Sequence, residues 1–225
     1  MKTFDKPRYI QEHNAIFNQY RMKYQNRGSY LIEDGVVNLE NYRGILFLLK
    51  EAYAKEQKFG EWNLVANLAE KGPWGMWNRV CEWTHGIENT IADKVEPFHD
   101  FSDEKKYRAL SHLAVINVKK INGSSMSNDD DLKKYVEDNK KLLRREIESA
   151  QPQIIICGNT FHYLKSIFDI KINCKCDNWY YWLTIDGIGT VLILDYYHPA
   201  AQYPRLLTYY GITNIYQQAL IDKNK

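Results

Sequence analysis

No apolar run in these 225 residues approaches the length of a membrane span. The opening MKTFDKPRYIQEHN is charged and lacks the apolar stretch of a signal peptide, so a soluble cytoplasmic protein is expected. Cysteine is scarce. Cys81, Cys157, Cys174 and Cys176 are too few and too irregular for a disulfide scaffold in a chain this long. The Cys174-x-Cys176 pair is at most half a zinc site, and with no second pair it reads as two ordinary thiols. Neither sign of charge dominates: 30 Lys and Arg against 28 Asp and Glu leave +2, so bulk charge neither demands nor excludes nucleic acid. There is no P-loop, no GxGxxG turn and no metal-ligand spacing, which argues against a nucleotide-phosphate or dinucleotide enzyme. Internal repeats and low-complexity tracts are absent as well.

What is present is ordinary globular composition, 44% apolar and 26% charged, with enough chain for a buried core. Aromatics are the exception. At 14%, with 17 Tyr and 6 Trp, they exceed what a core alone usually needs. Four short runs, Gly44 to Leu49, Leu113 to Val118, Gln153 to Cys157 and Thr190 to Leu194, are continuous in Ile, Val and Leu. That is the pattern of strands covered on both faces.

Amphipathic stretches lie between and around them, at Lys6 to Tyr24, Trp62 to Glu70, Trp74 to Thr84, Asp103 to Ser111, Asp129 to Ala150, Thr160 to Phe168 and Ile212 to Ile221. In the longest, Asp129, Asp130 and Asp131 suit a positive helix start, and Leu132, Val136, Leu142, Leu143 and Ile147 form a stripe that Pro152 ends. The basic run Lys140 to Arg145 on this helix reads as a solvated face. Asn122 to Asp131 is a loop by composition. Strands separated by helices imply parallel crossover units and a layered α/β sheet.

The C-termini of parallel strands lie along one edge, where ligands bind. Lys50, Glu51 and Tyr53 follow the first run, Asn117, Lys119 and Lys120 close the second, Gly158, Asn159 and Thr160 follow the third, and His198 follows the fourth. Singly, each has a plain reading: Glu51 as a first-turn acid, Asn117 as a strand end, Gly158 as a turn, His198 as a capped loop residue. Jointly they predict a site with a carboxylate, an amide, a helix N-terminus and an imidazole.

In this order the segments resemble the uracil-DNA glycosylase superfamily. Asn117-Val118-Lys119-Lys120 looks like its strand ending in a base-reading Asn, and Leu142 through Gln151-Pro152 to Phe161 is similar to its helix, next strand and glycine turn. His198-Pro199-Ala200-Ala201 resembles the closing His-Pro-Ser/Ala motif, and Ile45 to Tyr53 looks like a diverged first motif in which Lys50 replaces glycine and no proline follows Ala52. The likeness runs from about Gly44 to Gly211. None of the four cysteines stands where iron–sulfur relatives carry theirs, so no cluster and no other cofactor are expected.

The resemblance implies a three-layer α/β/α sandwich around a central, mainly parallel four-stranded sheet. A single domain would span 1–225, with 1–43 as a helical extension packed on it. It implies a monofunctional DNA glycosylase that flips out uracil or a modified cytosine and hydrolyses its N-glycosidic bond. The bond breaks toward an oxocarbenium-like sugar and an anionic base. Glu51 would stabilise the cation or orient water, with Asp138 and Asp195 as possible helpers. His198 would donate to the leaving base. Asn117 would read the pyrimidine edge, Tyr53 would pack beside the base and Phe59 would stack on it. Backbone amides at Gly158, Asn159 and Thr160, with Lys119, Lys120, Gln202, Tyr203 and Arg205, would hold the DNA, the protein acting as a monomer. The altered first motif raises a second possibility, a glycosylase for hydroxymethylated or glucosylated phage cytosine acting in defence. A third is a catalytically weak DNA-binding module of the same fold.

Overall fold

A computed structural model describes residues 4–24, 30–53, 60–99, 101–123, 127–172 and 178–223. The chain runs α1 (Lys6–Tyr24), β1 (Tyr30–Glu33), β2 (Gly35–Val36), β3 (Ile45–Glu51), β4 (Gly60–Asn63), α2 (Leu64–Lys71), α3 (Met76–Asn89) and α4 (Asp103–Ser111). It continues with β5 (Leu113–Lys119), α5 (Asp129–Ala150), β6 (Ile154–Gly158), α6 (Phe161–Phe168), β7 (Tyr180–Ile185), β8 (Gly189–Tyr196) and α7 (Arg205–Lys223).

The main sheet has six strands in the order β2-β5-β3-β6-β8-β7, which corrects the expectation of four. The four predicted strands are its parallel centre, β5-β3-β6-β8. The two additions are antiparallel edges, β2 on β5 and β7 on β8. Edge strands need no continuous apolar run: β2 spans two residues, and β7 buries only Tyr181 and Ile185. A separate parallel pair, β1 with β4, lies outside this sheet.

The side-chain period of two divides each central strand between two cores. Leu46 and Leu48 of β3, with Ala114, Ile116, Ile155 and Ile193 of its neighbours, pack against Leu132, Val136, Leu143 and Ile147 of α5 and Phe161, Leu164 and Ile167 of α6. Ile45, Phe47 and Leu49, with Val115, Ile156 and Leu194, meet Leu68 of α2, Val80 and Trp83 of α3, Leu110 of α4 and Ile212 of α7. Each fully buried aliphatic side chain contributes about 1.5–3 kcal/mol to this arrangement.

Helix α5 starts as its sequence implies, with the Asn128 side chain accepting from the amides of Asp130 and Asp131 and three acids in the first turn. It ends at Gln151 in a left-handed conformation just before Pro152. Three of the four residues of its basic run form ion pairs, Lys140 with Asp169, Arg144 with Glu148 and Arg145 with Glu12, and Lys141 is exposed. Helix α7 begins directly after Pro204, earlier than the Ile212 start expected. Residues 1–43 are not only helical. Helix α1 buries Ile16, Phe17 and Tyr20 against Leu31 and Tyr135, and β2 belongs to the main sheet.

Candidate active site

The C-terminal ends of β3, β6 and β8 open into one cleft of about 750 Å³. Lys50, Glu51, Ala52 and Tyr53 line it from the end of β3, Asn159 from the β6–α6 turn, and His198 and Ala200 from the loop after β8. Trp62, Trp74, Met76 and Trp77 form its other wall. Glu51, Tyr53, His198 and the turn after Gly158 are thus brought together as expected.

Glu51 closes β3, and its side chain is only 4% exposed. Its register partner on β5 is Lys119, whose Nζ lies 3.0 Å from Glu51 Oε2 and 2.5 Å from Asp131 Oδ2. Burial opposes the charge on Lys119, but the hydrogen bonds it donates to Asp131 and Glu51 outweigh it and raise its pKa. Gly123 leaves room for the carboxylate, because a Cβ there would run into the Glu51 side chain. Its amide donates to Ala52 O at 3.0 Å, which fixes that approach.

His198 is held by its own turn. Its Nδ1 accepts from the Ala200 amide at 3.2 Å, and the Ala201 amide donates to His198 O at 2.8 Å. Burial, and then the positive charge of Lys50, lower its pKa to about 4. The ring is therefore neutral at physiological pH. With Nδ1 accepting, the proton resides on Nε2, and the ring is a donor on that side. Lys50 is paired with Asp129 at 3.1 Å.

Gly158 permits the close approach of the two turns. A Cβ there would lie 2.8 Å from Leu49 Cδ2, 3.3 Å from Pro199 Cδ and 3.4 Å from His198 Cα. Thr160 Oγ1 donates to Leu48 O at 2.7 Å, tying the same turn to β3. Asn159 adopts a left-handed φ of 56°, and its amide donates to Tyr196 O and Cys157 O, each at 2.9 Å. That amide is consumed and Thr160 is buried, so the turn braces the site and the Asn159 amide is not open to a phosphate.

Three further assignments change. Asn117 is 3% exposed, is not among the cleft residues, and donates from both its amide N and its side-chain Nδ2 to Asp34 Oδ2, at 2.7 and 2.8 Å. Its carboxamide NH₂ therefore serves a buried carboxylate, not a base. Lys120 has no exposure and lies between Asp34 Oδ1 at 2.5 Å and Glu146 Oε1 at 2.8 Å, so it cannot reach DNA. Lys119 is committed to Glu51 and Asp131 and belongs to the cleft's charge balance. Asp138 and Asp195 are not among the lining residues.

Gln202, Tyr203 and Arg205 are exposed beside the His198 loop, with Arg205 paired to the buried Glu82 through two hydrogen bonds at 2.8 and 2.5 Å. Phe59 lies outside the described residues, as do Cys174 and Cys176.

Arg79 of α3 also belongs to the site. Its guanidinium donates to Pro199 O at 3.0 Å, Ala201 O at 2.5 Å and Tyr203 O at 3.3 Å, clamping the loop that follows His198. No local signal marks such a residue, since its partners lie far away in sequence. The tryptophan wall did have a signal, the aromatic excess. Trp77 is buried, whereas Trp74 is exposed at the cleft.

Among the described residues, no group of His, Cys, Asp or Glu could hold a metal ion, and no helix is long and apolar enough to cross a membrane. The chain matches no known family model and no curated protein.

Proposed function

We propose that this protein is a monofunctional DNA glycosylase that takes a flipped pyrimidine, uracil or a modified cytosine, into the cleft and hydrolyses its N-glycosidic bond. One observation carries the reading: a carboxylate, Glu51, and a neutral imidazole, His198, line the same aromatic-walled cleft at the carboxyl edge of a parallel sheet. An extruded base needs apolar faces to replace its lost stacking, and Trp62, Trp74, Trp77 and Tyr53 supply them.

In this mechanism Glu51 lies beside the sugar. As the bond breaks, its negative charge stabilises the oxocarbenium-like carbon and orients the attacking water. His198 donates from Nε2 to the oxygen of the departing base, where negative charge develops. Lys119 keeps the Glu51 carboxylate in place through their 3.0 Å pair. Asn159, the amide residue that does line the cleft, takes the base-reading role first expected of Asn117. Lys50 is held by Asp129 and leaves the reaction to water.

A second reading concerns substrate size. A cleft of about 750 Å³ has more room than an unmodified pyrimidine needs, which favours a cytosine carrying a hydroxymethyl or glucosyl group and a role in phage defence.

The test presents purified protein with uracil-containing oligonucleotides and with phage DNA rich in modified cytosine, and scores alkali-labile abasic sites. Release at uracil that disappears in His198→Ala supports a repair-type enzyme. Release only from modified DNA supports the second reading. Borohydride trapping should yield no protein–DNA adduct. Absence of abasic sites on every substrate overturns the proposal and leaves a DNA-binding module.

A further inference from the structure

A second depression, about 370 Å³, adjoins the cleft at their shared residue Gly75 and is lined also by Asn78, Arg79, Glu82, Lys106 and Arg205. Its charges do not cancel. Both oxygens of the buried Glu82 carboxylate are taken by Arg205, at 2.8 and 2.5 Å, and the Arg205 guanidinium also sits 5.1 Å over the Phe98 ring. That pair is self-compensating.

Arg79, by contrast, meets among the described residues only carbonyl oxygens, those of Pro199, Ala201 and Tyr203. Carbonyl dipoles orient a guanidinium without neutralising it. Among the described residues Lys106 has one ion pair, 3.4 Å to Asp103, whose side chain is 87% exposed. A pair of that kind is screened by water and worth little. Two cations therefore face a concave surface whose one buried carboxylate is already spent on a third.

We infer that this groove binds a phosphodiester group of the DNA strand next to the flipped nucleotide, with Lys106 and Arg79 supplying the charge and Asn78 an amide donor. The inference rests on the glycosylase reading and extends it by giving the strand a path. Two features select the DNA backbone over a free phosphate. The groove meets the base cleft at Gly75, and Arg79 is tied to the loop that carries His198, so a phosphate held here is in register with a base held there.

The test measures binding of a fluorescent duplex, carrying a stable abasic-site analogue, to the full-length protein across a range of salt concentrations. Lys106→Gln should weaken binding about tenfold and reduce the slope of log K against log salt by roughly 0.9, the share of one B-DNA phosphate. Lys105→Gln on the same helix is the control and should leave both unchanged. Thermal melts establish that each variant is folded. If wild type binds DNA while Lys106→Gln retains its affinity and slope, the groove proposal is overturned and the glycosylase reading stands. If inorganic phosphate at matched ionic strength stabilises wild type but not Lys106→Gln, and DNA binding ignores the substitution, the groove takes free phosphate and the proposal is again overturned. DNA binding that depends on Lys106, without base release from any substrate, supports the groove and removes the glycosylase reading.

Discussion

Lys119 and Glu51 stand opposite one another in the register of β5 and β3, with Nζ 3.0 Å from Oε2 and side chains only 9% and 4% exposed. The carboxylate assigned to the chemistry is thus half of a nearly buried ion pair. Removing the cation strands a buried charge, whereas neutralising Glu51 leaves Lys119 its second partner, Asp131. Lys119→Met should lower stability by about 3–5 kcal/mol. Glu51→Gln should cost about 1 kcal/mol and slow base release by roughly 10²–10⁴. Urea unfolding set beside abasic-site assays separates the two. Equal stability losses would remove the pair from this account.

The turn that carries His198 depends on what Gly158 lacks. A methyl group at that position meets Leu49, Pro199 and the His198 backbone together. Gly158→Ala is expected to cost about 1–3 kcal/mol through overpacking and to slow base release by displacing the imidazole. Wild-type turnover in a folded variant would show that the approach of the two turns has no part in the activity.

Acid should weaken the protein in a defined window. His198 takes up a proton near pH 6.5 when unfolded but only near 4 in the native site, so the stability present above 6.5 is lost as pH falls toward 4. Burial lowers His13, His85 and His162 as well, and their contributions have the same sign. Melting temperatures should stay level above neutrality and decline through this window, with a shallower decline in His198→Asn. Identical slopes for variant and wild type would show that His198 is not a buried neutral ring.

Lys120 serves the interior. Between Asp34 and Glu146 it balances two buried carboxylates, and burial raises the Glu146 pKa well above the usual carboxylate range. Lys120→Met should cost about 3–5 kcal/mol. Its folded fraction should bind DNA with the wild-type salt dependence, because Lys120 faces no phosphate. A reduced slope measured by titration would place this lysine at the surface.

Much of the architecture was legible in the sequence because its causes are local. The four central strands announce themselves as short continuous apolar runs. Helices α1, α4 and α5 have the ends their spacing and charged first or last turns imply. The juxtaposition of Glu51, the Gly158 turn and His198 followed from one rule, that parallel strands share a carboxyl edge. Strands β2 and β7 were hidden because an edge strand that is short or half exposed leaves no apolar run. The destinations of the polar residues were hidden for a different reason. Whether Asn117 reads a base or serves Asp34, whether Lys120 meets a phosphate or Glu146, and whether Arg79 holds the His198 loop depend on partners 26 to 124 residues away. A residue's own neighbours determine its strand or helix and the face it presents. A buried charge takes the nearest opposite charge in space, and only the folded chain decides which one that is.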